Sequence, residues 1–346
     1  MIHFDHSRLQ QSSHRSGLTR VSARLIEELG STIKPVTVFK PGPGPAVAAQ
    51  DFRPAKTDWL VTAELFCEAE CPGLWELIRE RRCRLAAVFH DAIPLKLPHI
   101  TWPQSVGRHP EYMKMLAEFD RVFAVSECSR RELMEFWRWQ GVSARAEVDT
   151  IALGADFSKQ PRVLETAGAC RAGLISVGIL EARKNQMFLL DVCESLWRDG
   201  LVFDLHLVGR VNPHFGKPIH AKIKTLKKKW SGLHYHESAS DEQMASLYRV
   251  ARASVFPTIA EGCGLPLLES LWFGVPCVCS DLPVLRENAN AGGCVPVALN
   301  DFEAWRMALR RVLTDANFWT ELTHQATARS LPTWADTAKT IVERLR

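Results

Sequence analysis

The chain has 346 residues, 46% of them hydrophobic and 24% charged, an ordinary globular balance with enough apolar material for two cores. Its 43 basic and 39 acidic residues leave a net charge of +4, which does not point to nucleic acid and fits an anionic substrate or weak contact with a membrane surface. The N-terminus shows no basic region followed by an apolar core, and no apolar run is long enough to span a bilayer.

Short apolar runs alternate with amphipathic stretches along the whole chain, a pattern that predicts βα units and parallel sheets. In the first half the expected strands are Ile2–Phe4, Val36–Phe39, Trp59–Thr62, Leu85–Phe89, Val122–Val125 and Val148–Ile151, with helices over Gly17–Leu29 and Ser129–Trp139. The alternating prolines and glycines from Pro41 to Pro45 read as an exposed loop. A polar stretch without period, Ser158 to Gly168, is the expected boundary. It gives an N-terminal domain over 1–160, a second over 168–330 and a final helix over 331–346. The second half restarts the pattern with strands Leu174–Val177, Phe203–Val208, His234–His236, Ser254–Phe256 and Val275–Cys279, and with helices over 186–198, 217–229 and 241–250. Ser240 and Gln243 have capping-box spacing at the start of the last of these. Two such halves create a cleft at the C-terminal ends of their strands, where α/β folds bind ligands.

The ten cysteines include no C-x-x-C pair and read as buried and reduced, as in a cytoplasmic protein. Cys67 and Cys71 come nearest to a metal pair, but no second pair accompanies them, so no metal site is expected.

The most informative segment runs from Glu261 through Gly262, Cys263, Gly264, Leu265 and Pro266 to Glu269. Two glycines permit a tight turn, Pro266 suits the first turn of a helix and Gly274 its end, so a helix is expected over Leu265–Phe273. Its free N-terminal amides could hold a diphosphate, and two carboxylates at different depths could hold two sugars. The plain alternative is a strand, a turn and a helix with two surface acids. In a second segment, from Ser176 to Asn185, Gly178 allows a turn and Arg183 with Lys184 places two cations after a strand. They could neutralise a diphosphate, or they could belong to a solvated loop. His90 and Asp91 follow the strand Leu85–Phe89, where a lone histidine is more often structural.

These segments together resemble the signature of family-4 retaining glycosyltransferases of the GT-B class (glycosyl transferases group 1). The resemblance spans nearly the whole chain, with its specific motifs mostly in 170–290. It implies two Rossmann-like, doubly wound α/β domains facing a central cleft, the last helix crossing back to the first domain. By that match Glu261 contacts the transferred sugar, Glu269 binds the nucleotide ribose, and the amides of Gly262, Cys263, Gly264 and Leu265 meet sugar and phosphate. Lys184 and Arg183 bind the donor phosphates beside Gly178, and His90 lies near the donor sugar. The family's glycine-rich loop falls at Gly17, although its second glycine is absent. Cys263 stands where an aromatic is usual, and Ile179 where some relatives carry another arginine. Ser126 is a cleft residue or a helix cap, and Trp334 opens the last helix.

The implied activity is metal-independent, retaining transfer of a hexosyl unit, mannose or glucose type, from a GDP- or UDP-linked sugar to a glycan or lipid-linked acceptor, as in polysaccharide biosynthesis. No cofactor and no nucleic-acid partner are expected. The base would be read near His236–Ser238, and the loop at 40–55 would help choose the acceptor. Two basic, aromatic stretches, Trp75–Arg84 and Ser129–Gln140, could touch anionic lipid, although such stretches are more often helices with one packed and one solvated face. The alternatives are a catalytically degenerate nucleotide- or glycan-binding protein and a sugar-nucleotide epimerase.

Overall fold

A computed structural model of the chain describes residues 1–7, 9, 17–38, 51–157, 160–164 and 172–346. The loop Pro41–Pro45, Ser16 and most of the expected boundary segment lie outside these residues. The chain forms two units, Met1–Gly154 with Pro332–Arg346, and Ala155–Leu331.

The strands of the first unit are β1 Ile2–Asp5, β2 Ile33–Val36, β3 Trp59–Thr62, β4 Arg84–Phe89, β5 Arg121–Ala124 and β6 Glu147–Thr150. They pair in parallel in the order β2-β1-β3-β4-β5-β6. Its helices are α1 Gly17–Leu29, α2 Leu74–Glu80, α3 Ile93–Lys96, α4 Pro103–Leu116 and α5 Glu127–Trp139, and α13 Trp334–Arg344 returns from the far end of the chain. Strand β3 is buried at every residue and reads Trp-Leu-Val-Thr, as a strand covered on both faces must. Strand β2 starts three residues earlier than expected. Its charged and proline residues, Lys34 and Pro35, are tolerated because it lies at the sheet edge.

Helix α13 packs along α1 for a local reason. A Cβ on Gly154 would stand 2.3 Å from the backbone nitrogen of Trp334, so the bare glycine lets the helix start against the main chain. Thr337 donates to the Ala152 carbonyl at 2.8 Å, Thr333 and Asp336 form a capping box, and Trp334 is fully buried.

In the second unit the strands are β7 Gly173–Val177, β8 Asp204–Val208, β9 Leu233–His236, β10 Ala251–Phe256, β11 Cys277–Ser280 and β12 Cys294–Val297. They run parallel in the order β12-β11-β10-β7-β8-β9. The helices are α6 Gln186–Arg198, α7 Lys217–Lys227, α8 Asp241–Val250, α9 Leu265–Trp272, α10 Pro283–Ala289, α11 Phe302–Thr314 and α12 Ala316–Ala328. Alternation along β8 sends Leu205 and Leu207 into a core shared with α6, α7 and α11, and Val208 into a second core with Tyr248 of α8 and Phe273. The expected capping box opens α8. Among the described residues no helix is long and apolar enough to cross a membrane.

The two stretches weighed for lipid contact are largely engaged within the first unit. Arg82 pairs with Glu80 and Glu76, Arg130 with Glu127, and Phe136 and Trp137 are buried, leaving Trp139 exposed.

Candidate active site

The site in the second unit grows from three strand ends. After β7 the backbone turns at Gly178, whose φ is +154°, and after β8 it turns at Gly209, at +150°. A Cβ on Gly209 would lie 2.1 Å from the Gly178 carbonyl oxygen, so the two turns touch main chain to main chain. Gly178 also clears a path for the stem of Lys184, whose Cδ and Cε would stand 3.4 Å from any Cβ there. The short turn Ala182–Lys184 ends at Asn185 in a left-handed conformation, φ 58°, and α6 begins.

This turn is fastened to the loop after β10. Ile259 N donates to the Arg183 carbonyl at 2.9 Å, and the Arg183 guanidinium donates to the Ala260 carbonyl at 2.7 Å. The result is a compact charge cluster. Glu261 Oε1 accepts from Lys184 Nζ at 2.6 Å, from Thr258 Oγ1 at 2.7 Å and faces Arg183 Nη1 at 3.0 Å. Arg183 reaches Glu181 at 2.8 Å on its other nitrogen, and Asn212 holds the second oxygen of Glu181 at 3.2 Å. The Lys184 ammonium also stands 4.9 Å over the Phe256 ring.

Side-chain exposure is 9% for Glu261 and 11% for Lys184. Burial alone would raise the Glu261 carboxyl, but Lys184 and Arg183 outweigh it and hold the group below the ordinary carboxylate range. Burial draws the Lys184 ammonium below the usual lysine value, with Glu261 opposing. At 2.6 Å Lys184 and Glu261 form a salt bridge, with the Arg183 guanidinium 3.0 Å away at its flank.

Helix α9 begins beside it. Gly264 is left-handed, φ 90°, no side chain caps the helix, and proline occupies its first turn, as expected. Cys263 is buried, its carbonyl accepts from Asn288 at 2.9 Å, and burial pushes its thiol up to about 12, which leaves it inert at neutral pH. Gly262 and Leu265 are half-buried, and Glu269 is buried within α9. The structure thus brings Gly178, Arg183, Lys184, Glu261, Gly262, Cys263, Gly264, Leu265 and Glu269 onto adjoining segments of one unit.

Gly17 and His90 belong to the first unit. Gly17 is exposed at the start of α1 and a Cβ there would meet open space, so nothing described requires glycine. His90 is buried after β4, and burial keeps its imidazole neutral, its pKa lowered despite Ala63 and Asp91. Its Nε2 donates to the Ala63 carbonyl at 2.8 Å, an oxygen that can only accept. The neutral ring therefore carries its lone pair on Nδ1, which makes it an acceptor for a hydroxyl. Ser129 donates to the His90 carbonyl at 2.8 Å. Ser126 is the N-cap of α5, accepting from Ser129 N at 3.0 Å.

Thr258, Glu181 and Asn288 were not among the expected site residues. Glu181 lies inside the recognised run of 176–185. Thr258 and Asn288 acquire their roles from loop conformations that no spacing encodes.

Against known proteins, residues 171–315 match the model of the family described as glycosyl transferases group 1. The serotype-specific mannosyltransferase WbdA of Escherichia coli is 27% identical over 321 residues, covering 82% of this chain and 38% of that protein. The O-antigen chain mannosyltransferase B of Escherichia coli is 27% identical over 257 residues, 72% of this chain and 65% of that one. The chain thus spans well under half the length of the first relative. Among solved structures, sucrose-phosphate synthase from Thermosynechococcus elongatus superposes with a TM-score of 0.76 at 15% identity, over 99% of this chain and 97% of that one. Anabaena HepE in complex with UDP and glucose gives 0.73 at 15% identity, over 99% and 98%. These likenesses identify the GT-B fold.

Proposed function

We propose, because residues 171–315 match the model of the glycosyl transferases group 1 family, that the chain transfers a hexosyl unit from a nucleoside diphosphate sugar to a hydroxyl of a glycan or lipid-linked acceptor, retaining the anomeric configuration. The sugar is of mannose or glucose type and the donor GDP- or UDP-linked. The mannosyltransferase names of the relatives favour mannose and a place in polysaccharide assembly. The observation that carries the reading is the Lys184–Glu261–Arg183 cluster beside the uncapped N-terminus of α9.

In this reading Lys184, flanked by Arg183, takes the charge that develops on the departing diphosphate, and the amides of Gly262 to Leu265 supply further donors. Glu261 accepts from hydroxyls of the transferred hexose, and Glu269 from the ribose. His90 offers Nδ1 to a hydroxyl. The bond between the anomeric carbon and the phosphate oxygen breaks as the acceptor oxygen bonds to the same face of that carbon. The acceptor's proton passes to the released diphosphate. Two fixed cations do the electrostatic work a divalent metal does elsewhere, so the reaction is metal-independent. A nucleoside diphosphate sugar donor and buried thiols fit the cytoplasm.

The test is transfer from GDP- and UDP-linked hexoses to an acceptor panel, with the anomeric configuration of the product read by NMR. Lys184→Ala is expected to slow transfer by about 10²–10³-fold. Donor binding without transfer to any acceptor would favour the degenerate binding protein. A free sugar nucleotide of altered stereochemistry would favour the epimerase. Loss of transfer on chelation, restored by magnesium, would contradict metal independence.

A further inference from the structure

The basic surplus of the chain has one location. From Arg210 to His236 there is no Asp or Glu, while the stretch holds Arg210 and the lysines 217, 222, 224, 227, 228 and 229, a charge of +7. Taking it from the chain's +4 leaves −3 for all other residues.

The fold turns this composition into a surface. Helix α7 buries Ile219, Ile223 and Leu226, spaced to form one inner face. Lys222 is taken by Asp191 and Lys229 by Glu194. Lys217, Lys224, Lys227 and Lys228 are exposed and have no ion-pair partner among the described residues. The helix leads from the C-terminal end of β8 to the start of β9, so Lys227 and Lys228 lie at the edge of the sheet away from the Lys184–Glu261 cluster. That same edge carries a half-buried tryptophan and one exposed aliphatic residue. Trp230 stacks on Trp197 with 5.8 Å between centroids. Val202 is 96% exposed, and the carbonyl of the next residue, Phe203, would stand 2.4 Å from a Cβ on Gly232.

We propose that this α7 face docks on an anionic lipid bilayer, its lysines against headgroup phosphates and Val202 in the interfacial layer. Unpaired lysines on one side of an amphipathic helix attract anionic lipid. An exposed aliphatic residue beside them has a use at a bilayer and none against a soluble polyanion. The arrangement also offers no stacking platform of exposed aromatics, as single-stranded nucleic acid would require.

The test is co-sedimentation of the full chain with phosphatidylcholine vesicles, with and without phosphatidylglycerol, at low and at physiological salt. Binding is expected only with phosphatidylglycerol and weakens as salt rises. The triple variant Lys224→Gln, Lys227→Gln, Lys228→Gln is expected to partition on the order of 100-fold more weakly, about fivefold per lysine. Since the three side chains are exposed, its melting midpoint and its transfer to a soluble acceptor should be unchanged. Val202→Ser should weaken partitioning severalfold at constant charge. The proposal is overturned if the native chain ignores anionic vesicles or binds neutral ones equally. It is also overturned if the triple variant binds as the native chain does, or if soluble polyphosphate binds as tightly while Val202→Ser has no effect.

Discussion

Glu261→Gln removes one negative charge from the cluster while leaving its shape almost unchanged. In the native chain a single carboxylate oxygen faces Lys184 at 2.6 Å, Thr258 at 2.7 Å and Arg183 at 3.0 Å. An amide oxygen can still accept, but two cations then share a nearly dry site with no anion between them. Breaking a buried ion pair by deleting one partner costs about 3–5 kcal/mol. Arg183 is 21% exposed and the amide still accepts, so about 2–3 kcal/mol is the better figure here. In a unit of this size each kcal/mol moves the melting midpoint by about 2–4 °C, which gives a fall of about 4–12 °C. The same variant should gain more than the native chain from a nucleoside diphosphate, because Glu261 no longer competes for the cations and the ligand's charge replaces the one removed. Differential scanning fluorimetry with and without GDP and UDP reads both effects. A variant as stable as the native chain would refute the charge argument, and a smaller ligand-induced shift than native would refute the competition.

Gly209→Ala forces a Cβ to 2.1 Å from the Gly178 carbonyl at a φ of +150°, so a loss of about 2–4 kcal/mol and weakened nucleotide affinity are expected, whereas Gly17→Ala should change neither. Urea denaturation and calorimetric titration check both variants. Burial, with His234 and His236 alongside, holds His206 down to about 4. The unfolded chain takes up a proton as pH falls through the ordinary value of 6.5 and the folded chain does so only near 4, so stability should decline between those values and level off below. After solvent screening the loss is about 1–2 kcal/mol. Melting curves across that window should be flatter for His206→Gln, and an unchanged slope would sink the assignment. Gly154→Val should push Trp334 away and loosen α13, read as faster amide exchange in α13 and α1 with the second unit unaffected; unchanged protection would contradict the packing argument.

Much of this architecture was legible because parallel strands buried on both faces leave continuous apolar runs. Trp59–Thr62 and the cysteine-rich run ending at Cys279 show it. Edge strands were harder. Pro35 broke the run of β2, and Cys294–Val297, with Pro296 inside it, carried no strand signal. Helix α4 was hidden by Pro110 within it. At the site, spacing alone left the glycines and the Arg183–Lys184 pair open to a plain turn and a solvated loop, and only the resemblance to the family's signature singled them out. Thr258 did not, since its hydroxyl meets Glu261 only through the turn between them. Nor did the histidine stack, in which residues 206 and 234 meet by strand pairing with rings 4.6 Å apart. Arg183 was expected to face phosphate, and in the fold it is already engaged by Glu181 and the Ala260 carbonyl. Lys184 is likewise engaged, by Glu261 at 2.6 Å.

The Lys184–Glu261–Arg183 cluster is proposed to grip a nucleoside diphosphate. Calorimetric titration of the native chain and of Lys184→Ala with GDP, UDP and their hexose conjugates tests it directly. One base is expected to bind the native chain, and Lys184→Ala to lose that affinity by about tenfold or more, the worth of one charged contact. Equal affinity in the two proteins, or no binding of any of these ligands to the native chain, would contradict it.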